Sequence, residues 1–340
     1  MEVSMKKVLL TMCMGSAVLL TGCAGNQIKD VNSYTRMTLQ PADIMPSKNE
    51  MSGDKTKVVI FNPVDSDIKL ASNAKAGHSI ATSLEKHIAV TGAEIVDRNI
   101  AQKLRAEIQL AEIKGSSTYK GPKVADYAIT GTVSAANIGS SFTEARSWQD
   151  KDGKWHKSPA KCTYTAQVSA NMRIYKLPAL SFSKAVNLDD SVSVSEEARY
   201  YSRCPYSTTA QESLVRQAAS DSAKKARTEF QNYFAPKAYV LERRVNEDVS
   251  IFKISHGKDL GFVADSDITI YHIEESTNPL TNEVSAEEYA VTEGTISNQV
   301  GKNHAWVVVE DKEKASKIKL GDYVKVLYEK GMLESFSGLF

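Results

Sequence analysis

The sequence predicts an α+β protein: a mixed sheet covered by helices, followed by a small SH3-like β-barrel. Three observations carry this. Between residues 57 and 236, apolar runs of strand length alternate with amphipathic stretches in the order β-α-β-α-β-β-β-α. From residue 237 to 330 the helical period stops, and short β-branched runs follow one another between turn signals. A hydrophobic content of 42% over 340 residues is enough for two cores.

The first strand is Lys57-Val58-Val59-Ile60-Phe61, a continuous apolar run suited to burial on both faces and broken by Asn62-Pro63. A helix follows with Ile80, Leu84, His87 and Ile88 on one stripe, stopped by Gly92. Ile95-Val96 is a short strand ending in Asp97-Arg98, and a second helix carries Ile100, Leu104, Ile108 and Ala111 on one face. The period then becomes two, with Tyr127, Ile129, Gly131 and Val133 alternating with Ala128, Thr130 and Thr132. The clearest strand is Thr163 to Tyr175. Tyr164, Ala166, Val168, Ala170, Met172 and Ile174 face one way, and polar residues face the other. Lys176-Leu177-Pro178-Ala179 turns the chain into a partner strand with Leu180, Phe182, Val186 and Leu188. A long helix over about Thr209 to Phe234 opens on a capping box of Thr209 and Glu212 and closes before Pro236. Its inner stripe, Val215, Ala218, Ala219, Ser222, Ala226, Phe230 and Tyr233, is small in the middle and allows close approach to a sheet.

In the second unit the strands are Val249 to Ile254, Ile268 to Tyr271, Ala290-Val291, Ala305 to Val309 and Tyr323 to Val326. His256-Gly257, Glu293-Gly294 and Gly321-Asp322 supply turns, and Trp306 reads as barrel core. Residues 331–340 read as a mobile tail.

Residues 23–56 are polar and interrupted by Pro41, Pro46 and Gly53, and read as a flexible tether. Its contour would be ~110 Å and its coil span ~30 Å. Upstream, Lys6 and Lys7, the apolar run Val8 to Leu20 and small residues before Cys23 describe a signal peptide over residues 1–22. The run is shorter than the roughly 20 residues of a spanning helix. Leu20-Thr21-Gly22-Cys23 resembles the lipobox of bacterial lipoproteins. That resemblance implies cleavage after Gly22 and acylation of Cys23 on sulfur (palmitate) and on its new amino group. Ala24, rather than Asp, implies sorting to the outer membrane within the same class. Two or more acyl chains hold a protein stably where one does not. A start at Met5 in place of Met1 would change none of this.

The formal charge is +1, and removal of Glu2, Lys6 and Lys7 leaves the mature side chains neutral, which argues against nucleic acid as a partner. Of four cysteines, Cys162 and Cys204 remain as a pair once the signal and Cys23 are set aside. In an oxidising compartment they would close a loop of roughly 42 residues worth about 4 kcal/mol; two buried free thiols are the alternative. The six histidines show no metal-ligand spacing, and His78 and His87 fall on opposite helix faces. Ser83-x-x-Lys86, Ser181-x-x-Lys184 and Ser222-x-x-Lys225 lack the companion motifs of acyl-transfer enzymes. Asp150-Lys151-Asp152-Gly153 reads as a hairpin turn rather than a calcium loop, and Asp265 and Asp267 as caps of a strand start. No catalytic, cofactor or metal-binding set is expected.

Val58-Val59-Ile60-Phe61-Asn62-Pro63, a helix, Ala93 to Arg98, then Asp126 to Val133 resemble one envelope superfamily. It includes the amino-terminal domain of TolB with its anticodon-binding-like sandwich, the curli-secretion lipoprotein, lipoprotein activators of penicillin-binding proteins and the flagellar T-ring protein. Gly257 to Gly261, Ala305 to Val309 and Lys319 to Val324 resemble the small β-domain of the last. The resemblance implies a non-enzymatic, ring-forming or docking role. The expected function is therefore an outer-membrane lipoprotein on the periplasmic face, an assembly or scaffold component of a flagellar, secretion or pilus machine, forming a homo-oligomer or part of a ring with other envelope proteins. Activation of a peptidoglycan synthase and a ring-forming secretion channel are the alternatives. The curli channel builds its pore from two hairpins, and the matching excursions here are about Gly139 to Lys161 and Asp189 to Ser207. Glu144, Arg146, Asp189, Asp190, Glu196, Glu197 and Arg199 make a lipid-facing row improbable. The excursions are expected as folded loops tied at their bases by Cys162 and Cys204.

Overall fold

The computed structural model describes residues 27–329 apart from 49, 115–118, 120, 199–203 and 283. The signal segment, Cys23 and the tail after 330 lie outside the described residues. After a short strand β1 (Thr35–Met37), the α/β unit runs β2 (Lys57–Ile60), α1 (Lys69–Ala74), α2 (Ala76–Ala89), β3 (Glu94–Val96), α3 (Gln102–Lys114), β4 (Tyr127–Thr143), β5 (Arg146–Gln149), β6 (Trp155–Ser158), β7 (Lys161–Lys176), β8 (Ser181–Glu197), α4 (Thr208–Lys225) and α5 (Arg227–Phe234). The five-stranded sheet has the order β3-β2-β4-β7-β8. β2 is parallel to β3 and β4, and the β4, β7 and β8 ladders are antiparallel.

The apolar run of β2 is explained by cover on both faces. Val58 and Ile60 pack with α2 and α4, whereas Val59 and Phe61 pack with α3. On β7 the six residues Tyr164 to Ile174 of the even face are all buried. The small stripe of α4, Ala218, Ala219, Ser222 and Ala223, lies in the same core. Helix α2 begins where Lys75 turns through a left-handed conformation (φ 56°). Gly77 is required just inside it, because a Cβ there would stand 2.2 Å from the Pro63 carbonyl oxygen.

Three expectations need correction here. The helix from Thr209 to Phe234 is two helices, broken at Ala226 (φ −86°, ψ 0°). Its cap is Ser207, whose extended backbone lets Oγ accept from the Ala210 N–H at 3.2 Å, so the Thr209–Glu212 box is not the start. Ile100 precedes α3 and is 71% exposed.

The second unit contains β9 (Ala238–Asn246), β10 (Val249–Ile254), β11 (Asp267–Thr277), β12 (Val284–Val300), β13 (Ala305–Val309), α6 (Lys312–Lys317) and β14 (Tyr323–Val326). The order β9-β10-β13-β12-β11-β14 closes on itself through Tyr323↔Tyr239 and Val324↔Ala238. The barrel is thus closed, with six antiparallel strands. Its closing strand β9 carries little strand signal, because Glu242, Arg243 and Arg244 interrupt the apolar alternation of Ala238 and Val240. Val240, Phe252, Ile254, Ile268, Ile270, Ile296, Val307 and Val324 fill the interior. Trp306 is not among them: it lies outside with Ile251 and Val308, under Ile28.

The expected tether is the largest correction. Ile28 is 1% exposed, β1 adds to β9 from Thr35↔Val245 to Met37↔Arg243, and Gln40 and Ala42 exchange backbone hydrogen bonds of 2.8 Å with Leu320. Residues 27–43 form a strap laid on the barrel. Of its anchors, Ile28, Val31 and Tyr34 share one small cluster on the outer wall, and Leu39 packs against the barrel core. The two units are joined where the Asn232 side chain donates to the Tyr328 carbonyl (2.9 Å) and accepts from its N–H (2.8 Å).

Candidate functional site

Strands β4, β7 and β8 together make a long arm. Each strand has 16 or 17 residues, about 55 Å at the usual rise. Parts of the expected loop excursions, residues 139–143 and 189–197, are instead continuations of these strands: β4 pairs with β7 out to Thr143↔Lys161, and β7 with β8 to Lys161↔Glu197. Alternating Thr, Ser and Val residues keep the ladder going where charges alone suggested loops.

At the far end, Cys162 and Cys204 form a disulfide with a Cα–Cα distance of 5.5 Å. Beside it Tyr164 and Tyr206 stack at 3.8 Å, and the Tyr164 hydroxyl donates to the Pro205 carbonyl at 3.0 Å. The segment leading to α4 is thereby pinned over the apolar face of the arm. The opposite face is a ladder of short polar pairs: Thr163–Ser195 (2.8 Å), Thr165–Ser193 (2.7 Å), Ser169–Asp189 (2.8 Å) and Asn171–Asn187 (2.6 Å). β8 is the last strand of its sheet, and its outer edge pairs with no other described strand.

The arm carries the β5–β6 hairpin. Asp150 forms its turn as expected for that motif, accepting from the N–H groups of Asp152 (3.0 Å) and Lys154 (2.9 Å). Its other oxygen meets His156 at 2.6 Å, and that bond, ahead of the Lys154 amide, holds the carboxyl below its ordinary value. Trp148 stacks on His156 at 5.5 Å, and Trp148 and Trp155 remain 49% and 65% exposed.

A cleft of about 320 Å³ opens beside the carboxyl end of β2, between α3 and the sheet. Arg105 donates to the Asn62 carbonyl at 3.2 Å, and Arg173 pairs with Glu112 at 3.5 Å. Glu112 also accepts from Tyr175, whose hydroxyl is pushed up to about 12, first by burial and then by that carboxylate. Among the described residues, the cleft lining contains no histidine or cysteine. A second cavity of about 460 Å³ lies between the two units, bordered by Lys176, Lys237 and Lys325. Burial, then the neighbouring Lys237, lowers Lys325.

The strap brings together a group that sequence spacing missed. Buried His272 shares a 2.5 Å hydrogen bond with Asp322 through Nδ1, and its Nε2 faces Asp43 at 3.3 Å. Asp43, His272 and Glu274 offer ligand atoms within 4.8 Å of one another. The Lys319 ammonium stands among them, donating to Asp43 at 3.2 Å and lying 3.3 Å from His272 Nε2. Lys319 and then His272 hold Asp43 low, while burial raises Asp322. The geometry resembles a carboxylate–histidine–metal arrangement with an ammonium in the cation position. Its members come from residues 43, 272, 274, 319 and 322, so no motif spacing exists to find them.

Elsewhere, His78 and His87 border a shallow groove between α2 and α4. Ser83 and Ser222, two of the three Ser-x-x-Lys serines, donate to the backbone carbonyls of Ser220 (3.0 Å) and Ala219 (2.8 Å), a structural use of the hydroxyl. Asp265 adopts a left-handed turn (φ 64°) ahead of β11, which begins at Asp267. Among the described residues no helix is long and apolar enough to cross a membrane.

No family model and no curated protein sequence matches the chain. Among solved structures, a candidate lipoprotein from Caulobacter crescentus is 12% identical, with 55% of this chain and 94% of that one covered at a TM-score of 0.27. A lipoprotein from Neisseria meningitidis is 12% identical over 50% of this chain and 99% of its own, at 0.22. A PelC dodecamer from Paraburkholderia phytofirmans is 11% identical over 55% and 96%, at 0.20. At these scores the likenesses carry no argument about role.

Proposed function

We propose that the chain is a lipid-anchored protein of the bacterial envelope that works by contact, as a scaffold or assembly component of a larger outer-membrane machine facing the periplasm. The lipobox-like run ending at Cys23 supports the anchor, and the TolB-like and curli-secretion-like reading of the α/β unit supports the setting. The observation that carries the contact role is the stapled arm, with an open strand edge along β8 and two exposed tryptophans at its hairpin. An unpaired edge invites strand addition, and an exposed tryptophan pair is the composition of an interface anchor.

This reading gives the protein no catalytic task. The channel alternative fits less well, because one face of the arm is a polar ladder and the other is packed against α4 rather than free for lipid. The synthase-activator alternative relied on a long tether, much of which is strapped down. The test is the native mass of the acylated protein in mild detergent. A species several times the monomer mass, lost when Trp148 and Trp155 are replaced, is expected; a monomer at micromolar concentration that captures no envelope protein overturns the contact role.

A further inference from the structure

The strap changes where the folded part must sit. Ile28 is held by more than its side chain: its N–H donates to Asn298 Oδ1 at 2.8 Å, and its carbonyl accepts from Gln299 Nε2 at 2.9 Å. The side chain itself fills a socket formed by Ile251, Trp306 and Val308. Both backbone groups and the apolar group of one residue are therefore satisfied by the barrel wall, a clamp rather than a passing contact.

Cys23 lies five residues before Ile28, so the chain between them spans at most about 18 Å. A free tether from Cys23 to Lys57 would span up to ~110 Å. Lys29 adjoins the clamp, and Lys253 stands on β10 opposite Trp306. β10 alternates Ile251 outward and Phe252 inward, so Lys253 belongs to the outer face. The charged side chains here are of both signs, Lys29 beside Asp30 and Lys253 opposite Glu242, so it is the short leash and not a charged patch that brings this wall to the membrane.

We infer that the carboxy-terminal barrel is the membrane-proximal module: the Ile28 clamp holds the strap-covered wall of the barrel, beneath which Trp306 is buried, close to the lipid headgroups and within a few residues of the acyl anchor. This rests on the reading of Cys23 as the acylated residue. It makes the barrel, not the α/β unit, the part of the protein that meets the membrane.

The test uses the full acylated chain in vesicles of phosphatidylethanolamine and phosphatidylglycerol carrying a headgroup acceptor dye. A donor is placed on Lys302→Cys, in the turn before β13, and mass spectrometry reports the state of Cys23. Strong energy transfer is expected from the otherwise unchanged protein. It should fall several-fold in Ile28→Ser/Asn298→Ala, and also when about 20 Gly/Ser residues are inserted after Gly25, a change that lengthens the leash without touching the clamp. An acylated protein whose transfer is the same in all three forms overturns the inference alone. An unmodified Cys23 overturns the lipid-anchor reading, and the inference with it.

Discussion

The arm and the strap are both long pieces of chain on the outside of the molecule, yet they are held in opposite ways. The arm is held by a ladder: β7 pairs along its length with β4 on one side and β8 on the other. The strap is held by separate anchors, the Ile28 clamp, three residue pairs with β9, a backbone exchange with Leu320 and the Asp43 cluster. A ladder spreads its stability over many equal bonds. An anchored strap loses much of its hold with any one anchor, and is the element to expect at the low-stability end of the protein.

The sharpest break in this comparison is removal of the arm's staple. Replacing Cys162 and Cys204 by serine should lower the stability of the α/β unit by about 4 kcal/mol, because the bond closes a 42-residue separation. Urea unfolding should show the loss in one transition and leave the barrel's unchanged; a common shift would mean that the two units unfold as one.

Ile28→Ala comes next. Truncating a buried aliphatic side chain costs about 2–4 kcal/mol, here charged to the strap alone. Amide exchange of Thr35 and Met37, which face the β9 ladder, should accelerate by about one and a half to three orders of magnitude, while the barrel strands keep their protection. Uniform loss of protection would show that the strap is part of the barrel's folding core.

The anchor at Asp43 gives the comparison a pH axis. Its carboxyl is held below the ordinary value, so its contribution is present above the unfolded carboxylate range and is lost as pH falls through the folded value. Asp322 has the opposite sign, since burial raises it and its protonated form is favoured in the fold. The strap should therefore become protease-sensitive below about pH 4, before the barrel unfolds. Asp43→Asn should be sensitive already at neutral pH and lose the pH dependence.

The same contrast explains what was legible beforehand. The ladder strands leave a period in the sequence, so Val58 to Ile60 and the buried face from Tyr164 to Ile174 could be read directly, and β13 and β14 lie where their β-branched runs fall. The strap leaves only a short one, since Ile28, Val31 and Tyr34 share a single small cluster and Leu39 packs against the barrel core instead. Trp306 was misplaced for the same reason: its neighbours Val307 and Val309 do point inward, and only the strap makes the outer face of β13 a second small core. The break at Ala226 has no composition signal, since alanine is the best helix former. His272 could not be matched to Asp43 by spacing, as 229 residues separate them.

The smallest expected effect on the fold separates holding the arm together from using it. Trp148 packs on His156 within the β5–β6 hairpin, and Trp155 lies mostly in solvent. Replacing both by alanine should change the stability of the α/β unit by no more than about 0.5 kcal/mol, as surface substitutions do. If the arm acts by contact, the same pair should weaken assembly at least tenfold, because tryptophans at the centre of an interface dominate its energy. Unchanged assembly would move the contact to the open edge of β8. There, a proline at Ser193 or Ser195 would remove a backbone donor that strand addition needs.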